Sequence, residues 1–181
     1  MNVFISGGCK NGKTGFAQEI AVRLSGGSRR YYVATMLPYD DEDRERIARH
    51  IAEREGLGFE TLEQPRDIAD CLKRTAPDAT LLIDSVTALL VNEMYPAMQK
   101  EGADPKAADR CRAGLLAIAA KAQNAVFVSD YLYSDAARYD AFTENYRASL
   151  ARIDRALAGV CDVVIELCAG NVIFHKGGID L

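Results

Sequence analysis

Two stretches of the chain carry residues whose types and spacing suit phosphate chemistry, and the first is GGCKNGKT at positions 7–14. It fits the pattern G-x-x-x-x-G-K-[S/T] and lies between a strand-like segment and a helix-like one. Its glycines let several backbone N–H groups point into one concavity, and the following helix adds its positive N-terminal end. Lys13 would bring a charge to the β- and γ-phosphates of a nucleotide, and Thr14 would offer its hydroxyl to Mg²⁺. We therefore expect the nucleotide to be bound by the whole loop: Gly7, Gly8, Cys9, Lys10, Asn11, Gly12, Lys13 and Thr14.

A carboxylate at the end of a buried strand is the second element that phosphoryl transfer needs. Asp84 closes the apolar segment ATLLID, where it would hold the metal ion or orient a hydroxyl group. Taken alone, an Asp in this place is often the N-cap of the next helix. Together with the glycine-rich loop the metal role is favoured, so Lys13 and Asp84 become catalytic candidates, with Thr14 and Asp84 as metal ligands. Asp130 ends the segment NAVFVSD in the same way and is a weaker candidate.

The second stretch is DRERIARHIAER at positions 43–54, which places His50 between two arginines. Arg46, His50 and Arg54 are four residues apart, so on a helix they share one face. A neutral imidazole is a capable nucleophile near neutral pH, and the two guanidinium groups would compensate phosphate charge. The other interpretation is a solvated helix on which His50 only borders a narrow apolar stripe. Residue types alone leave both interpretations open.

Short apolar runs alternate with longer amphipathic ones, which is typical of βαβ units. Predicted strands occupy 2–6, 31–35, 59–64, 79–84, 124–130, 161–168 and 171–177. Predicted helices occupy 13–25, 41–55, 66–75, a segment from 85 to about Met98, 104–123 with Pro105 in its first turn, and 138–159 with Gly159 at its end. The pattern predicts one three-layer α/β domain over residues 1–181, of the P-loop NTPase (RecA-like) type. Its sheet should be mainly parallel, with a C-terminal antiparallel hairpin around Ala169-Gly170.

Composition restricts the class of protein. The chain has 181 residues, 49% of them hydrophobic, which is enough for a packed core. A formal net charge of -4 at pH 7 argues against broad nucleic-acid binding. Five cysteines without a C-x-x-C pair indicate neither a disulfide framework nor a zinc site, and reduced thiols in the cytoplasm are the simplest interpretation. We expect no signal peptide, and no apolar run approaches the roughly 20 residues of a membrane span.

The order of the motifs along the chain resembles a known family. ISGGCKNGKT, YYVAT, DEDRERIARHIAER, TLE and LLID follow one another as in the adenosylcobinamide kinase/adenosylcobinamide-phosphate guanylyltransferases of cobalamin biosynthesis. Members of that family are about this long. They carry a G-G-x-x-x-G-K-[S/T] loop, a Y-[I/V]-A-T strand, an R-I-x-x-H helix and a T-x-E segment. The resemblance covers nearly the whole chain.

The resemblance implies an enzyme with two successive reactions. ATP or GTP would phosphorylate the aminopropanol hydroxyl of adenosylcobinamide with the help of Mg²⁺. GTP would then donate GMP to that phosphate through a guanylyl-histidine, which maps onto His50, and give adenosylcobinamide-GDP and pyrophosphate. The family also implies a homo-oligomer, a trimer, whose small-molecule partners are nucleotides and a corrinoid. By the same resemblance the nucleotide site is lined by Val33, Ala34, Thr35, Ile51, Ala52, Glu53, Arg54, Glu63 and Asp84.

Two segments depart from the family pattern. EREGLGFE lacks the proline of an R-P pair after the histidine helix, and SDYLYSD replaces T-N-E-[V/I]-G at the end of the strand predicted at 124–130. The second change bears on acceptor specificity and on whether both reactions are retained, because the carboxyl ends of parallel strands form the ligand crevice. We expect its residues Tyr131, Tyr133 and Asp135 to lie toward the site, where the tyrosines would either face a large ring system or close the edge of the core.

Two other functions remain open at this point. One is a kinase of another small molecule, which would use Lys13, Thr14 and Asp84 and leave His50 incidental. The other is a RecA-like nucleotide-driven switch or nucleic-acid motor. The acidic balance and the lack of a basic stripe with interleaved aromatic residues oppose a nucleic-acid motor. The second histidine, His175, lies in the last predicted strand and is interpreted as structural.

Overall fold

The computed structural model describes residues 1–96, 104, 106–133 and 136–180. Its strands are β1 (Asn2–Gly7), β2 (Arg30–Ala34), β3 (Phe59–Glu63), β4 (Thr80–Asp84), β5 (Asn124–Asp130), β6 (Val163–Cys168) and β7 (Asn171–Lys176). Its α-helices are α1 (Lys13–Ser25), α2 (Asp41–Glu53), α3 (Val86–Met94), α4 (Ala107–Lys121) and α5 (Ala141–Val160). Within these described ranges no helix is both long and apolar enough to cross a membrane.

All seven strands form one sheet in the order β3-β2-β4-β5-β1-β6-β7. Every neighbouring pair is parallel except β6 and β7, which are antiparallel. The turn between them has left-handed backbone at Ala169, with φ 50°, and at Gly170, with φ 79°, as a tight hairpin turn requires. The prediction of a mainly parallel sheet with a C-terminal hairpin is confirmed.

Helices cover both faces of the sheet because its central strands are apolar on both faces. On one face α1 contributes Ala17 and Ile20 to a core cluster that includes Tyr32. On the other face α3, α4 and α5 pack over a larger cluster that includes Tyr31 and Val33. Successive residues of β2 therefore enter opposite cores, as the strand period of two dictates. This arrangement confirms the three-layer fold.

Helix α2 differs from the other helices because it has no buried residue along its whole described length, Asp41–Glu53. It begins at Asp40, whose side chain accepts a hydrogen bond of 2.8 Å from the backbone N–H of Asp43, a standard N-cap. Three acidic residues in the first turn suit the positive end of the helix dipole. The helix is thus formed by local interactions, and its position on the domain depends on the residues at its ends.

Two predicted helices differ from the structure. Residues 66–75 form only a 3-10 helix, Ile68–Lys73, because the preceding Asp67 has left-handed backbone with φ 47°. The C′ role that we predicted for Gly159 at the end of its helix is wrong, since α5 continues through Gly159 to Val160. The predicted positions of Met98 and Pro105 lie outside the described residues.

Candidate active site

The phosphate loop connects β1 to α1, and two of its glycines are required by geometry. A Cβ atom on Gly7 would lie 2.6 Å from the backbone oxygen of Leu167 on the neighbouring strand β6. Gly12 caps the N-terminus of α1 with φ 79°, a conformation that favours glycine. Asn11 fastens the loop to the same strand through a hydrogen bond of 3.3 Å from its Nδ2 to the Leu167 oxygen. The chain is therefore shaped as an anion-binding turn before a helix N-terminus.

The lysine of the loop is held at the carboxyl ends of the central strands. Lys13 is only 6% exposed. Its Nζ donates to the backbone oxygen of Gly8 at 2.6 Å and lies 2.7 Å from Oδ1 of Asp130. Asp130, the weaker of the two carboxylate candidates in sequence, is thus a direct partner of the loop. Its own backbone N–H donates to Oγ1 of Thr87 at 2.9 Å.

Asp84 lies where the metal-binding carboxylate was predicted, next to the hydroxyl of the loop. Thr14 Oγ1 donates to Oδ2 of Asp84 at 3.0 Å, and the hydroxyl of Tyr32 donates to the same oxygen at 2.6 Å. Burial first, and then the charge of Asp84, raise the pKa of Tyr32 far above its ordinary value, so its hydroxyl remains a donor. Tyr32 belongs to YYVAT but had no predicted role. The sequence signal for such a role was the period of two along the strand, which places Tyr32 on the other face of the sheet from Tyr31.

The oxygen donors at this point suit Mg²⁺. Thr14 and Asp84 offer one hydroxyl and one carboxylate, and among the described residues no three His, Cys, Asp or Glu side chains are grouped to hold a metal ion alone. Mg²⁺ is commonly bound by one or two protein oxygens together with waters and substrate phosphates. The residues present therefore fit a metal that arrives with a nucleotide.

A cavity of about 490 Å³ extends from these carboxylates toward α2. Asp84 and Asp130 belong to its wall, and so do Arg46, His50 and Arg54 from the charged stretch. Since Asp84 contacts Thr14 and Asp130 contacts Lys13, the cavity adjoins the phosphate loop. Its volume lies in the range of small-ligand sites. The structure thus places the cavity that is lined by the charged stretch beside the phosphate loop.

His50 is oriented by the next turn of its own helix. Its Nδ1 lies 3.1 Å from Oε2 of Glu53, and its side chain is 22% exposed. Because a carboxylate only accepts hydrogen bonds, this contact assigns the proton of the neutral ring to Nδ1. Nε2 then carries the free electron pair, as an attacking nitrogen requires.

Arg54 is a buried cation with no carboxylate partner among the described residues. Its guanidinium carbon lies 4.3 Å from the centre of the Tyr32 ring, and its Nε and one terminal nitrogen donate to Oγ1 of Thr61 at 3.3 and 3.0 Å. The residue is 8% exposed. A buried guanidinium normally needs an anion, and a phosphate group in the cavity would supply one.

A comparison of the chain with models of protein families identifies its family. The family model described as "Cobinamide kinase / cobinamide phosphate guanyltransferase" matches residues 3–174. The chain belongs to this family. The resemblance predicted from the order of the motifs is therefore confirmed, and the chain is a transferase of cobalamin biosynthesis. No curated protein that was compared matches the chain significantly.

Two solved structures with a similar fold share little sequence identity with this member of the cobinamide kinase/guanyltransferase family. One of them, an ATPase domain, has a TM-score of 0.55 and 14% identity, over 97% of this chain and 76% of that chain. The flagellar accessory protein FlaH from Methanocaldococcus jannaschii has a TM-score of 0.50 and 15% identity, over 98% of this chain and 78% of that chain. At this identity the likeness concerns the fold alone, and it supports the predicted RecA-like P-loop class.

The nucleotide-binding residues predicted from the family are distributed unevenly around the cavity. Four of them line it besides His50 and Asp84, namely Ala34, Ile51, Arg54 and Glu63. The other four lie elsewhere. Val33 is buried in the larger core, under α3, α4 and α5. The hydroxyl of Thr35 donates to the backbone oxygen of Ser85 at 2.8 Å and accepts from its backbone N–H at 2.7 Å. Ala52 and Glu53 are exposed on α2. In the loop, Cys9 and Lys10 are exposed.

A buried amide that had no predicted role supports the cavity wall. Asn92 on α3 is 2% exposed. Its Nδ2 donates to the backbone oxygens of Thr35, at 2.7 Å, and Pro65, at 3.2 Å, while its Oδ1 accepts from the hydroxyl of Tyr39 at 3.1 Å. Three separate chain segments that border the cavity are joined by this one side chain. An Asn inside the apolar run VTALLVNEM was the sequence signal.

The two tyrosines of SDYLYSD have different surroundings. Tyr133 packs against the larger core and its hydroxyl donates to Oδ2 of Asp154 at 3.0 Å. The backbone N–H of Tyr131 donates to the Gly7 oxygen of the phosphate loop at 3.3 Å. Burial first, and then the charge of Glu166 on β6, raise the pKa of Tyr131. Glu166 also lies 2.7 Å from His175. Tyr133 therefore packs at the edge of the larger core, whereas Tyr131 lies next to the phosphate loop. Asp135 lies outside the described residues.

Proposed function

We propose that this family member catalyses both reactions of its family at the cavity next to the phosphate loop. ATP or GTP phosphorylates the aminopropanol hydroxyl of adenosylcobinamide. GTP then gives GMP to adenosylcobinamide phosphate through a guanylyl-His50 intermediate, and the products are adenosylcobinamide-GDP and pyrophosphate. The observation that carries this proposal is that His50 shares one cavity wall with Asp84 and Asp130, the partners of Thr14 and Lys13.

In the kinase step the loop from Gly7 to Thr14 binds the phosphates through its backbone and Lys13. The acceptor hydroxyl attacks the γ-phosphorus and releases its proton to solvent water, and the nucleoside diphosphate leaves. Lys13 compensates the charge that spreads over the phosphate oxygens in the transition state. Bound Mg²⁺, held by Thr14 and Asp84, would neutralise the phosphate oxygens and align them. The two side chains are already joined by a hydrogen bond of 3.0 Å.

In the guanylyl step His50 is the nucleophile. Its Nε2 attacks the α-phosphorus of GTP, and the bond to the leaving pyrophosphate breaks. The ring becomes cationic as the new N–P bond forms, and the carboxylate of Glu53, 3.1 Å from Nδ1, stabilises that charge. Arg54, a cation without a carboxylate partner among the described residues, faces the anionic phosphates. An oxygen of adenosylcobinamide phosphate then displaces His50 from the α-phosphorus.

The experiment that tests the guanylyl step is trapping of the intermediate with GTP labelled in its α-phosphate. The wild-type protein should retain an acid-labile label, and His50→Ala should retain none. His175→Ala is the matched control, because His175 also pairs with a glutamate, at 2.7 Å, but on the exposed hairpin. An undiminished label in His50→Ala would exclude His50 as the nucleophile.

Product analysis distinguishes the proposal from its alternatives. Adenosylcobinamide with GTP and Mg²⁺ should give adenosylcobinamide-GDP by mass, with release of pyrophosphate. A kinase of another small molecule would release no pyrophosphate from GTP, and a RecA-like switch would show nucleotide hydrolysis stimulated by a macromolecule. The same assay tests whether SDYLYSD, in place of the usual T-N-E-[V/I]-G, still permits both steps.

We further propose that the protein acts in the cytoplasm as a homo-oligomer, a trimer by family resemblance, with residues 1–181 as one catalytic domain. The apolar side chains of Ile173 and Phe174 on the edge strand β7 are 41% and 38% exposed, and Ile51 on α2 is 52% exposed. Contacts between copies would cover such surfaces. Light scattering of the purified protein measures the number of chains directly.

A further inference from the structure

Tyr32 touches both halves of the candidate site. Its hydroxyl donates at 2.6 Å to Asp84, the carboxylate beside the phosphate loop. The face of its ring lies 4.3 Å from the guanidinium carbon of Arg54, the residue that follows α2. The side chain itself is 4% exposed and packed in the smaller core, so its position is fixed. One rigid side chain therefore connects the metal-binding carboxylate with the histidine helix.

The placement of His50 depends on this contact because α2 has few other attachments. None of the residues Asp41–Glu53 is buried. Arg54, one turn after His50, is the first buried residue that follows, at 8% exposure. Its guanidinium rests on the Tyr32 ring and donates to Thr61. A change in the contacts that hold the Arg54 side chain would consequently move the C-terminal turn of α2, which carries His50.

The carboxylate of Asp84 depends on the same residue in another way. Its Oδ2 accepts hydrogen bonds from both Tyr32 and Thr14. With Oδ2 occupied by two donors, the carboxylate plane is set and Oδ1 is directed to a different ligand. A phenylalanine at this position would fill the core equally well but would leave Thr14 as the one remaining donor to Oδ2 among the described residues.

We propose that Tyr32 is a positioning residue for both reactions: its hydroxyl orients Asp84 for the metal-nucleotide complex, and its ring seats Arg54 and thereby places His50. The second half of this inference rests on the proposed function, since it concerns the guanylyl step. The first half concerns only the binding of a nucleotide with Mg²⁺. The two halves are carried by different atoms of one side chain and can be removed separately.

Three variants separate the hydroxyl from the ring. Tyr32→Phe removes only the hydrogen bond to Asp84, Tyr32→Leu removes the ring as well, and Tyr31→Phe is the control. Tyr31 is the adjacent residue of the same strand and is equally buried, but it lies in the core on the opposite face. Thermal unfolding establishes first that each variant is folded.

The readouts are the Mg²⁺ dependence of fluorescent GTP binding and the labelling of His50 from α-labelled GTP. Tyr32→Phe should raise the Mg²⁺ concentration for half-maximal binding by about tenfold, the effect of one hydrogen bond to a carboxylate. At saturating Mg²⁺ its labelling rate should equal that of the wild type. Tyr32→Leu should in addition lose about tenfold or more in labelling at saturating Mg²⁺, and Tyr31→Phe should change neither quantity.

Two results would overturn the inference. A folded Tyr32→Phe with the wild-type Mg²⁺ dependence would refute the role of the hydroxyl, and a folded Tyr32→Leu with the wild-type labelling rate would refute the role of the ring. Should Tyr32→Leu fail to fold, Arg54→Lys replaces it, because lysine keeps the charge but cannot stack, and unchanged labelling would count against the ring. If the wild type forms no label at all, the proposed function fails, while the Mg²⁺ dependence of Tyr32→Phe still tests the hydroxyl.

Discussion

We expect one buried carboxyl group to make the protein less stable as the pH rises toward neutrality. Asp154 on α5 is 3% exposed, and its Oδ2 accepts hydrogen bonds of 3.0 Å from Ser129 and from Tyr133. Its Oδ1 has no hydrogen-bond partner among the described residues. Burial raises the pKa of Asp154 from 3.8 to about 7, although the two hydrogen bonds lower it, and the nearby charge of Asp130 adds to the rise. Replacement by Asn removes this titration and keeps the shape.

The sign and size of the effect follow from proton linkage. At low pH the carboxyl group is protonated in both the folded and the unfolded chain. Above pH 3.8 the unfolded chain releases the proton and the folded one keeps it, so the free energy of unfolding falls until the pH passes about 7. A rise of about three pKa units, at about 1.4 kcal/mol each, corresponds to a loss of about 4 kcal/mol.

Urea unfolding of the wild type and of Asp154→Asn at pH 4 and pH 8 measures this loss. We expect the wild type to lose about 4 kcal/mol more than the variant between the two values. Other carboxylates titrate in both proteins and cancel in the difference. Asp109→Asn is the control, because the Asp109 side chain is 74% exposed and its removal should leave the wild-type pH dependence unchanged. Equal losses in the wild type and Asp154→Asn would refute the reasoning.

Two further substitutions test the loop and the cavity wall. Gly7→Ala would place a Cβ atom 2.6 Å from the Leu167 oxygen and should weaken GTP binding at least tenfold in a fluorescence titration. Its control, Gly159→Ala, has free space around it in α5 and should stabilise the protein by up to about 1 kcal/mol. Normal GTP binding by Gly7→Ala would contradict the close-contact argument. Asn92→Asp would replace the amide that donates to two backbone oxygens by a carboxylate, and it should lower the free energy of unfolding in urea by about 2 kcal/mol or more. The control is Asn171→Asp on the exposed hairpin. Equal stability of the two variants would show that Asn92 does not support the cavity wall.

The local parts of the site were predictable from the sequence. The phosphate loop is specified by consecutive residues, and the ends of apolar strands marked Asp84 and Asp130. The three-layer fold followed from the alternation of strand and helix periods. Helix α2, Asp41–Glu53, was also predictable, since its acidic first turn and its charged face are local features. What these features share is that the physical cause lies within a few residues.

The contacts between segments were not predictable in the same way. The pair of Lys13 and Asp130 depends on β1 lying beside β5 in a register that no short stretch encodes. Tyr32 faces Asp84 because β2 pairs with β4, and that pairing brings together residues about fifty positions apart. At Asp67 the left-handed backbone shortened a predicted helix, which the periodicity of the sequence did not reveal. Long-range strand pairing decides the first two cases, and a single backbone angle decides the third.

The central place of β1 in the sheet has a consequence for the order in which the protein folds. The strand that carries the phosphate loop lies far before its two sheet neighbours in the sequence, since these are β5, at Asn124–Asp130, and β6, at Val163–Cys168. The Leu167 oxygen that fixes the loop belongs to the later of the two. The nucleotide site is therefore complete only once β6 has paired with β1, so ligand binding stabilises the assembled sheet and gives no help to folding intermediates that lack this pair.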